Sequence, residues 1–120
     1  TKAVELGVAK ICVNHPHFLV NATYEQMTKW ADMGAYIELN AAVFSSIAKS
    51  GTCPDEVIGE ILKAVPKEKI VLDSDLGQKV NVAPVEGMYQ FICKLVDEFG
   101  VTEEEINLMG KETPSMLLGI

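Results

Sequence analysis

Arginine is absent from the chain, and its ten basic residues are all lysines. Because the guanidinium group is the usual bidentate ligand for phosphates and base edges, its absence is unfavourable for nucleic-acid recognition. Seventeen acidic residues bring the net charge to −7 at pH 7, which also disfavours contact with nucleic acid or an anionic membrane. We therefore expect neither nucleic acid nor membrane among its partners.

Long apolar runs are also missing. No stretch approaches the roughly 20 apolar residues of a membrane helix, and the first residues, TKAVELGVAK, have no signal-peptide core. Cysteine is scarce: Cys12, Cys53 and Cys93 are far apart, form no CxxC motif and are odd in number. We interpret them as reduced structural thiols, which suits a cytoplasmic protein.

What the chain does contain is an alternation of short β-like runs and amphipathic segments. Strands are predicted at residues 8–14, 35–40 and 69–75. Helices are predicted at residues 24–33, 54–65, 85–99, 102–109 and 113–120. Such alternation is typical of a parallel sheet with crossover helices. We therefore predict a single α/β unit over residues 1–120.

Several residue types mark the helix ends. Thr23 with Gln26, and Thr102 with Glu105, have the spacing of capping boxes at helix starts. Gly34 suits the left-handed position that follows a helix. These signals support the predicted starts of the helices at residues 24–33 and 102–109 and the predicted end of the first of them.

The strand patterns predict which side chains share a face. Residues 8–14 are apolar at nearly every position except Lys10, which predicts a strand covered on both faces. The next strand alternates and places Glu38 on its polar face, while Asp73 and Asp75 share one side of the last strand. Carboxylates on an inner face indicate the lumen of a barrel or a cleft.

Polar groups follow or end all three predicted strands. His15 and His17 follow the first strand, Glu38 and Asn40 lie at the end of the second, and Asp73 and Asp75 end the third. Binding sites of α/β sheets and barrels form at these carboxyl ends. Imidazole nitrogen and carboxylate oxygen suit a divalent metal such as zinc or manganese, which lowers the pKa of a bound water to about 7.

Each of these residues also has a purely structural interpretation. A histidine at a strand end can bond to backbone, and Glu38 can be a buried charge paired with a lysine or tyrosine. Asp73 or Asp75 can be a turn residue before Gly77. No motif in the chain has the specificity of HExxH or of a P-loop, so the joint placement of the groups is the stronger argument.

The stretches VNHPHF, GAYIELN and SDLGQ are followed by a tail that reads PVEGMYQFICKLVDEFGVTEEEINLMGKETPSMLLGI. Together they resemble the C-terminal part of a poorly characterised family of amidohydrolase-like, metal-dependent hydrolases. The resemblance covers nearly the whole chain, and SDLGQ with the following PVEG helix start is its most specific part. Members of that family are (β/α)8 barrels. The resemblance therefore implies the C-terminal portion of a TIM barrel, about three β/α units.

The resemblance also implies roles for individual residues. His15 falls on the strand-6 histidine and is implied as a metal ligand. Asp75 falls on the strand-8 aspartate, implied as a ligand, as the general base that takes the water proton, or both. Glu38 falls on an acidic position of strand 7, His17 has no counterpart, and Asp73 replaces a small residue. We regard His17, Glu38 and Asp73 as possible outer-shell residues.

On this mapping the chain holds strands 6 to 8 and the N-terminal part of the barrel is missing from it. Residues 1–6 would be the end of helix 5. The leading hypothesis is a metal-dependent hydrolase in which metal-activated water attacks an amide, ester or phosphoester of a small-molecule substrate. The isolated chain would then be inactive. Its open edge at residues 8–14 predicts self-association or packing against the missing part.

Two alternatives stay open. The chain could be a self-contained, non-catalytic α/β domain that uses its acidic strand ends for binding or assembly. It could also belong to a degenerate barrel that kept the fold and lost its activity.

Overall fold

A computed structural model describes residues 2–120 as a mixed α/β unit built on a three-stranded parallel sheet. The strands are β1 (Cys12–Val13), β2 (Tyr36–Asn40) and β3 (Ile70–Asp73), paired in the order β1-β2-β3. The helices are α1 (Lys2–Glu5), α2 (Tyr24–Asp32), α3 (Glu56–Ala64), α4 (Pro84–Phe99), α5 (Glu103–Asn107) and α6 (Thr113–Leu118). The predicted α/β class with a parallel sheet is confirmed. Thr1, which the sequence assigns to a preceding helix, lies outside the described residues.

The helix ends form where the sequence predicts them. Thr23 accepts a hydrogen bond from the backbone N–H of Gln26, whose side chain accepts one from the N–H of Thr23. Thr102 and Glu105 form the same capping box at the start of α5. Gly34 has a φ of 96°, as expected for the residue after a helix. A π-helical turn, Leu108–Glu112, joins α5 to α6.

The first strand is much shorter than predicted. Only Cys12–Val13 pairs with β2, and residues 8–10 lie exposed and outside the sheet. Cys12 is exposed and Val13 only partly buried, so the expected cover on both faces is wrong. The physical reason is packing: β1 lies at the border of the sheet, and Val13 lines an open cavity beside it instead of a packed core. The third strand is also shorter than predicted and ends at Asp73 instead of residue 75.

The two faces of the sheet have opposite chemistry. Ile37 pairs directly with Ile70, and Leu39 with Leu72, so aliphatic side chains lie side by side on one face. That face packs against buried side chains of the helices. They include Met27, Ala31, Ile58, Ile61, Phe91 and Leu95. The other face carries Glu38 and Asn40 on β2 and Asp73 on β3, as the alternation predicts.

Both flanks of the sheet leave apolar surface uncovered. A cavity of about 330 Å³ lies beside β1 and is lined by Ile11, Val13, Trp30 and Met33, among others. A second, of about 500 Å³, lies beside the end of β3 and is lined mainly by α4 side chains such as Val85, Met88 and Tyr89. Val85, in the first turn of α4, is 85% exposed and forms part of this apolar surface. Within residues 2–120, no helix is long and apolar enough to cross a bilayer.

Candidate functional site

The structure brings His15 and Asp75 together from the two outer strands of the sheet. His15 lies two residues beyond β1 and Asp75 two residues beyond β3, at the carboxyl ends of both. The Nε2 atom of His15 is 3.5 Å from Oδ2 of Asp75. Their side chains are 24% and 48% exposed, so both groups are open to a ligand. The convergence of these two residues, inferred from strand ends, is therefore present in the fold.

Both residues have an uncommon backbone conformation. The φ angle is 48° at His15 and 43° at Asp75, in the left-handed region that non-glycine residues rarely adopt. Histidine and aspartate tolerate this region better than most residues, but the conformation still carries strain. Such strain concentrates at functional sites, where the surrounding structure holds it in place.

Glu38 holds the three strand ends together. Its side chain is 3% exposed and accepts hydrogen bonds from the loop that follows β1 and from β2 itself. Asn14 Nδ2 donates to Oε1 at 2.6 Å, and the backbone N–H of His15 donates to Oε2 at 2.6 Å. Asn40 Nδ2 donates to Oε2 at 2.8 Å. Burial by itself would raise the pKa of Glu38, but these hydrogen bonds outweigh it and keep the pKa below its ordinary value.

Asp73 completes this buried network as the partner of Glu38 from β3. Burial and the neighbouring Glu38 carboxylate raise the pKa of Asp73 to about 7, and Asp75 adds a smaller increase. When protonated, the Asp73 carboxyl can donate a hydrogen bond to the Glu38 carboxylate. Since Glu38 receives the other donors, Asp73 is the protonated member. Asp73 Oδ1 is buried and has no hydrogen-bond partner.

The raised pKa of Asp73 predicts a pH-dependent stability. An unfolded aspartate has a pKa of about 3.9, so between about pH 4 and pH 7 the folded state binds an extra proton. The free energy of unfolding should therefore fall as pH rises through this window. Asp73→Asn keeps a donor toward Glu38 but cannot ionise, so it should remove that fall and be more stable than wild type at about pH 8. Urea unfolding across this pH range measures the difference.

Asp97→Asn is the matched control, because Asp97 is exposed on α4 and the substitution removes the same charge. Its pH profile should run parallel to that of the wild type. If the free energy of unfolding of Asp73→Asn changes with pH in parallel with that of the wild type, Asp73 is already ionised in the folded protein. A proton on Asp73 is then ruled out.

Asn40 connects the buried network to the histidine ring. Its Nδ2 atom lies 2.9 Å from Nδ1 of His15, and its Oδ1 atom accepts a hydrogen bond from the backbone N–H of Val43 at 3.2 Å. Glu38 Oε2 is 3.5 Å from the same Nδ1 atom, a longer and weaker contact. The ring of His15 is thus held at Nδ1 by buried groups and presents Nε2 to Asp75.

A cavity of about 330 Å³ opens directly over this pair. Besides His15 and Asp75, it is lined by Phe18, Leu19, Ala42, Val43, Ser50 and Gln78. Two loops border the cavity, one at Ser50 and one at Asn81, and hydrogen bonds join them. Asn81 Nδ2 donates to the Ser50 hydroxyl at 2.8 Å, and Asn81 Oδ1 accepts from the Ser50 N–H at 3.0 Å. The cavity therefore has a defined rim with both apolar and amide surfaces.

His17 does not join His15 and Asp75. Its ring stacks on Phe44 with a centroid separation of 5.9 Å, and both ring nitrogens are buried without a hydrogen-bond partner among the described residues. Burial, followed by the neighbouring His15, lowers the pKa of His17. Of the three residues considered for an outer shell, Glu38 and Asp73 lie in the network beneath His15, and His17 does not.

The geometry of His15 and Asp75 can be tested against a metal. For zinc bonds of about 2.1 Å at a tetrahedral angle, the two ligand atoms lie about 3.4 Å apart. The observed 3.5 Å between Nε2 and Oδ2 fits that separation. Within residues 2–120, however, no group of three or more histidines, cysteines, aspartates or glutamates could hold a metal ion. Among the described residues the pair alone is thus too small a ligand set for a zinc site, which usually has three or four protein ligands.

Several residues of the site carry no recognisable sequence signal. Asn14 is the main one, whereas Asn40 is placed with Glu38 at the end of the second predicted strand by the alternation of that strand. The Ser50–Asn81 contact joins residues 31 positions apart, and no sequence motif around either residue predicts it.

Comparison with family models finds one match, a model described as "Family of unknown function (DUF6282)", over residues 1–38. The match includes His15, His17 and Glu38 but ends before Asn40, and it covers less than half of the chain. Comparison with curated proteins and with solved structures gives no match.

Proposed function

We propose that this chain forms the C-terminal three β/α units of a (β/α)8-barrel, metal-dependent hydrolase of the amidohydrolase type. The observation that carries the proposal is the pairing of His15 Nε2 with Asp75 Oδ2 at 3.5 Å, at the carboxyl ends of two strands and beneath an open cavity. Sites of barrel enzymes are built at this end of the strands. The separation also fits two positions of one divalent ion, zinc or manganese.

The exposed flanks of the sheet support the barrel part of the proposal. An isolated three-stranded sheet has two edges, and here each edge adjoins an apolar cavity between a strand and a helix. Further β/α units on both sides would cover these surfaces and close the sheet. The same units would supply the metal ligands beyond His15 and Asp75. An N-terminal part or a second copy of the chain is thus the proposed partner.

The proposed chemistry assigns a task to each residue. When bound, a divalent ion would activate water for attack on an amide, ester or phosphoester of a small molecule. Asp75, half-exposed and 3.5 Å from the imidazole, would accept the water proton at a carboxylate oxygen. Glu38 Oε2, 3.5 Å from Nδ1, would accept the Nδ1 proton of a His15 ring whose Nε2 binds the ion. Three free cysteines among residues 2–120 fit a reducing, cytoplasmic location.

The test is metal binding and hydrolysis by the full-length polypeptide that contains this chain. Purified protein loaded with Zn²⁺ or Mn²⁺ is assayed with nitrophenyl ester, anilide and phosphate probes, and its metal content is measured. Asp75→Asn and His15→Ala should each weaken metal affinity at least about tenfold and abolish metal-stimulated hydrolysis. Asp97→Asn, which removes the same charge from an exposed site, should retain both properties.

A full-length protein that binds no metal and hydrolyses no probe would refute the proposal. The two apolar flanks would then favour the second candidate, a non-catalytic α/β domain used for assembly. For that candidate, the chain alone should melt cooperatively, and a chelator should leave the melting temperature unchanged.

A further inference from the structure

We propose that Asn40 sets the tautomer of His15, so that in the neutral ring Nε2 carries the proton and directs it at Asp75. Asn40 would thus be a positioning residue that acts through the histidine. The inference concerns the protein without metal and goes beyond the hydrolase proposal, because it holds whether or not the site binds a metal ion.

The orientation of the Asn40 amide is the first step. Its side chain is buried, with a relative exposure of 1%. Oδ1 accepts a hydrogen bond from the N–H of Val43, and Nδ2 donates to Oε2 of Glu38. Turning the amide over would place an NH₂ group against the Val43 N–H and an oxygen against a carboxylate. Both contacts would be repulsive, so the orientation is determined by its neighbours.

The second step is the contact with the ring. An amide nitrogen donates and does not accept, and the second hydrogen of Nδ2 faces Nδ1 of His15 at 2.9 Å. Nδ1 must therefore accept, and the proton of the neutral ring lies on Nε2. There it faces Oδ2 of Asp75 at 3.5 Å. Glu38 Oε2 could accept a proton from Nδ1, but at 3.5 Å it competes poorly with a donor at 2.9 Å.

A consequence follows for metal binding, and this part rests on the proposed function. A metal ligand at Nε2 needs a lone pair there, so the proton must first move to Nδ1, where Asn40 offers no acceptor. Asn40→Asp replaces the NH₂ group with an oxygen. With a proton on that oxygen it still donates to Oε2 of Glu38, and its lone pair can accept from Nδ1. It should therefore favour the tautomer with a free Nε2 and bind Zn²⁺ about tenfold more tightly.

The tautomer can be read directly from ring nitrogen NMR. The chain contains two histidines, so a long-range ¹H–¹⁵N correlation spectrum at alkaline pH shows two rings, and His17→Gln identifies which belongs to His15. The protonated nitrogen is recognised by its shift, and Nε2 by its couplings to both ring carbon-bound protons. We expect a protonated Nε2 at His15 in the wild type. A protonated Nδ1 would overturn the proposal.

Variants separate Asn40 from the rest of the network. Asn40→Asp should move the proton to Nδ1, and Asn40→Ala, which adds no charge, should leave a mixture of both tautomers. Asn14→Asp is the matched control, because Asn14 also donates to Glu38 but does not contact the ring. It should leave the proton on Nε2. If the spectrum of His15 is the same in Asn40→Asp and Asn40→Ala as in the wild type, Asn40 does not set the tautomer.

The tautomer and the hydrolase proposals fail in different ways. A protonated Nε2 in a protein that binds no Zn²⁺ supports the tautomer proposal and refutes the hydrolase proposal. Zn²⁺ binding by a wild-type protein whose His15 carries its proton on Nδ1 supports the hydrolase proposal and refutes the tautomer proposal.

Discussion

Replacing Glu38 by alanine is expected to lower the free energy of unfolding by about 3 kcal/mol or more. Glu38 accepts hydrogen bonds from Asn14, from the backbone of His15 and from Asn40, and its carboxylate is buried. Alanine removes the acceptor and leaves those donors without partners in a site that water reaches poorly. Each such donor costs about 1–3 kcal/mol, and a cavity adds to the loss.

Urea unfolding measures the change, with Glu60→Ala as the control. Glu60 lies on α3, is half-exposed and pairs with Lys63 at 2.8 Å, an interaction worth about 0.5 kcal/mol or less. Glu38→Gln keeps the shape and one acceptor oxygen, so its loss should lie between those of the two alanine variants. A Glu38→Ala variant as stable as Glu60→Ala would mean that the strand ends are held together by packing alone.

The second large effect is expected at Gly51, where alanine should cost about 3 kcal/mol of folding stability. A β-carbon at this position would overlap the carbonyl group of Phe44 and approach the backbone nitrogen of Ser45 to 2.9 Å. Backbone atoms cannot turn aside as a flexible side chain can, so the loop must shift. Phe44 is fully buried and stacks on Phe91 at 5.6 Å, and any shift is therefore transmitted to the core.

Gly110→Ala is the matched control for this prediction. A β-carbon at Gly110, in the π-helical turn before α6, has no neighbour within 4 Å. Its substitution should be neutral or stabilise the fold by up to about 1 kcal/mol, because alanine restricts the unfolded chain. Equal melting temperatures for the two alanine variants would contradict the crowding inferred at Gly51.

Gly51 also affects the candidate site, because its loop forms part of the cavity rim. Ser50 lines the cavity and is fastened to Asn81 in the opposite loop. A displaced loop should therefore loosen the rim as well as the core. Amide hydrogen exchange at Ser50, whose N–H is bonded to Asn81, should be accelerated in Gly51→Ala by a larger factor than exchange at the core amides.

Much of the architecture is determined by local sequence. The capping boxes at Thr23 and Thr102 and the left-handed Gly34 are short-range devices, since each is satisfied within a few residues. Strand β2 is also readable, because its alternation separates aliphatic from polar side chains residue by residue. The placement of His15 and Asp75 near strand ends follows from where the β-like runs of the sequence stop.

Local sequence misjudges the first strand for an equally physical reason. The apolar run at residues 8–14 predicts a covered strand, but coverage depends on what packs against the faces, and the surface beside β1 opens on a cavity. The sequence pattern predicts which side chains of a strand are apolar. It does not predict which other elements pack against them.

The chemistry of the site was decided by tertiary structure. The sequence alone could not show that burial and Glu38 raise the pKa of Asp73, since Glu38 is 35 positions away and lies on the neighbouring strand. It could not separate His15 from His17 by environment, because the ring of one is held by Asn40 and that of the other stacks on Phe44. Protonation and tautomer depend on burial and on the nearest donor or acceptor, and both arise only when distant parts of the chain pack together.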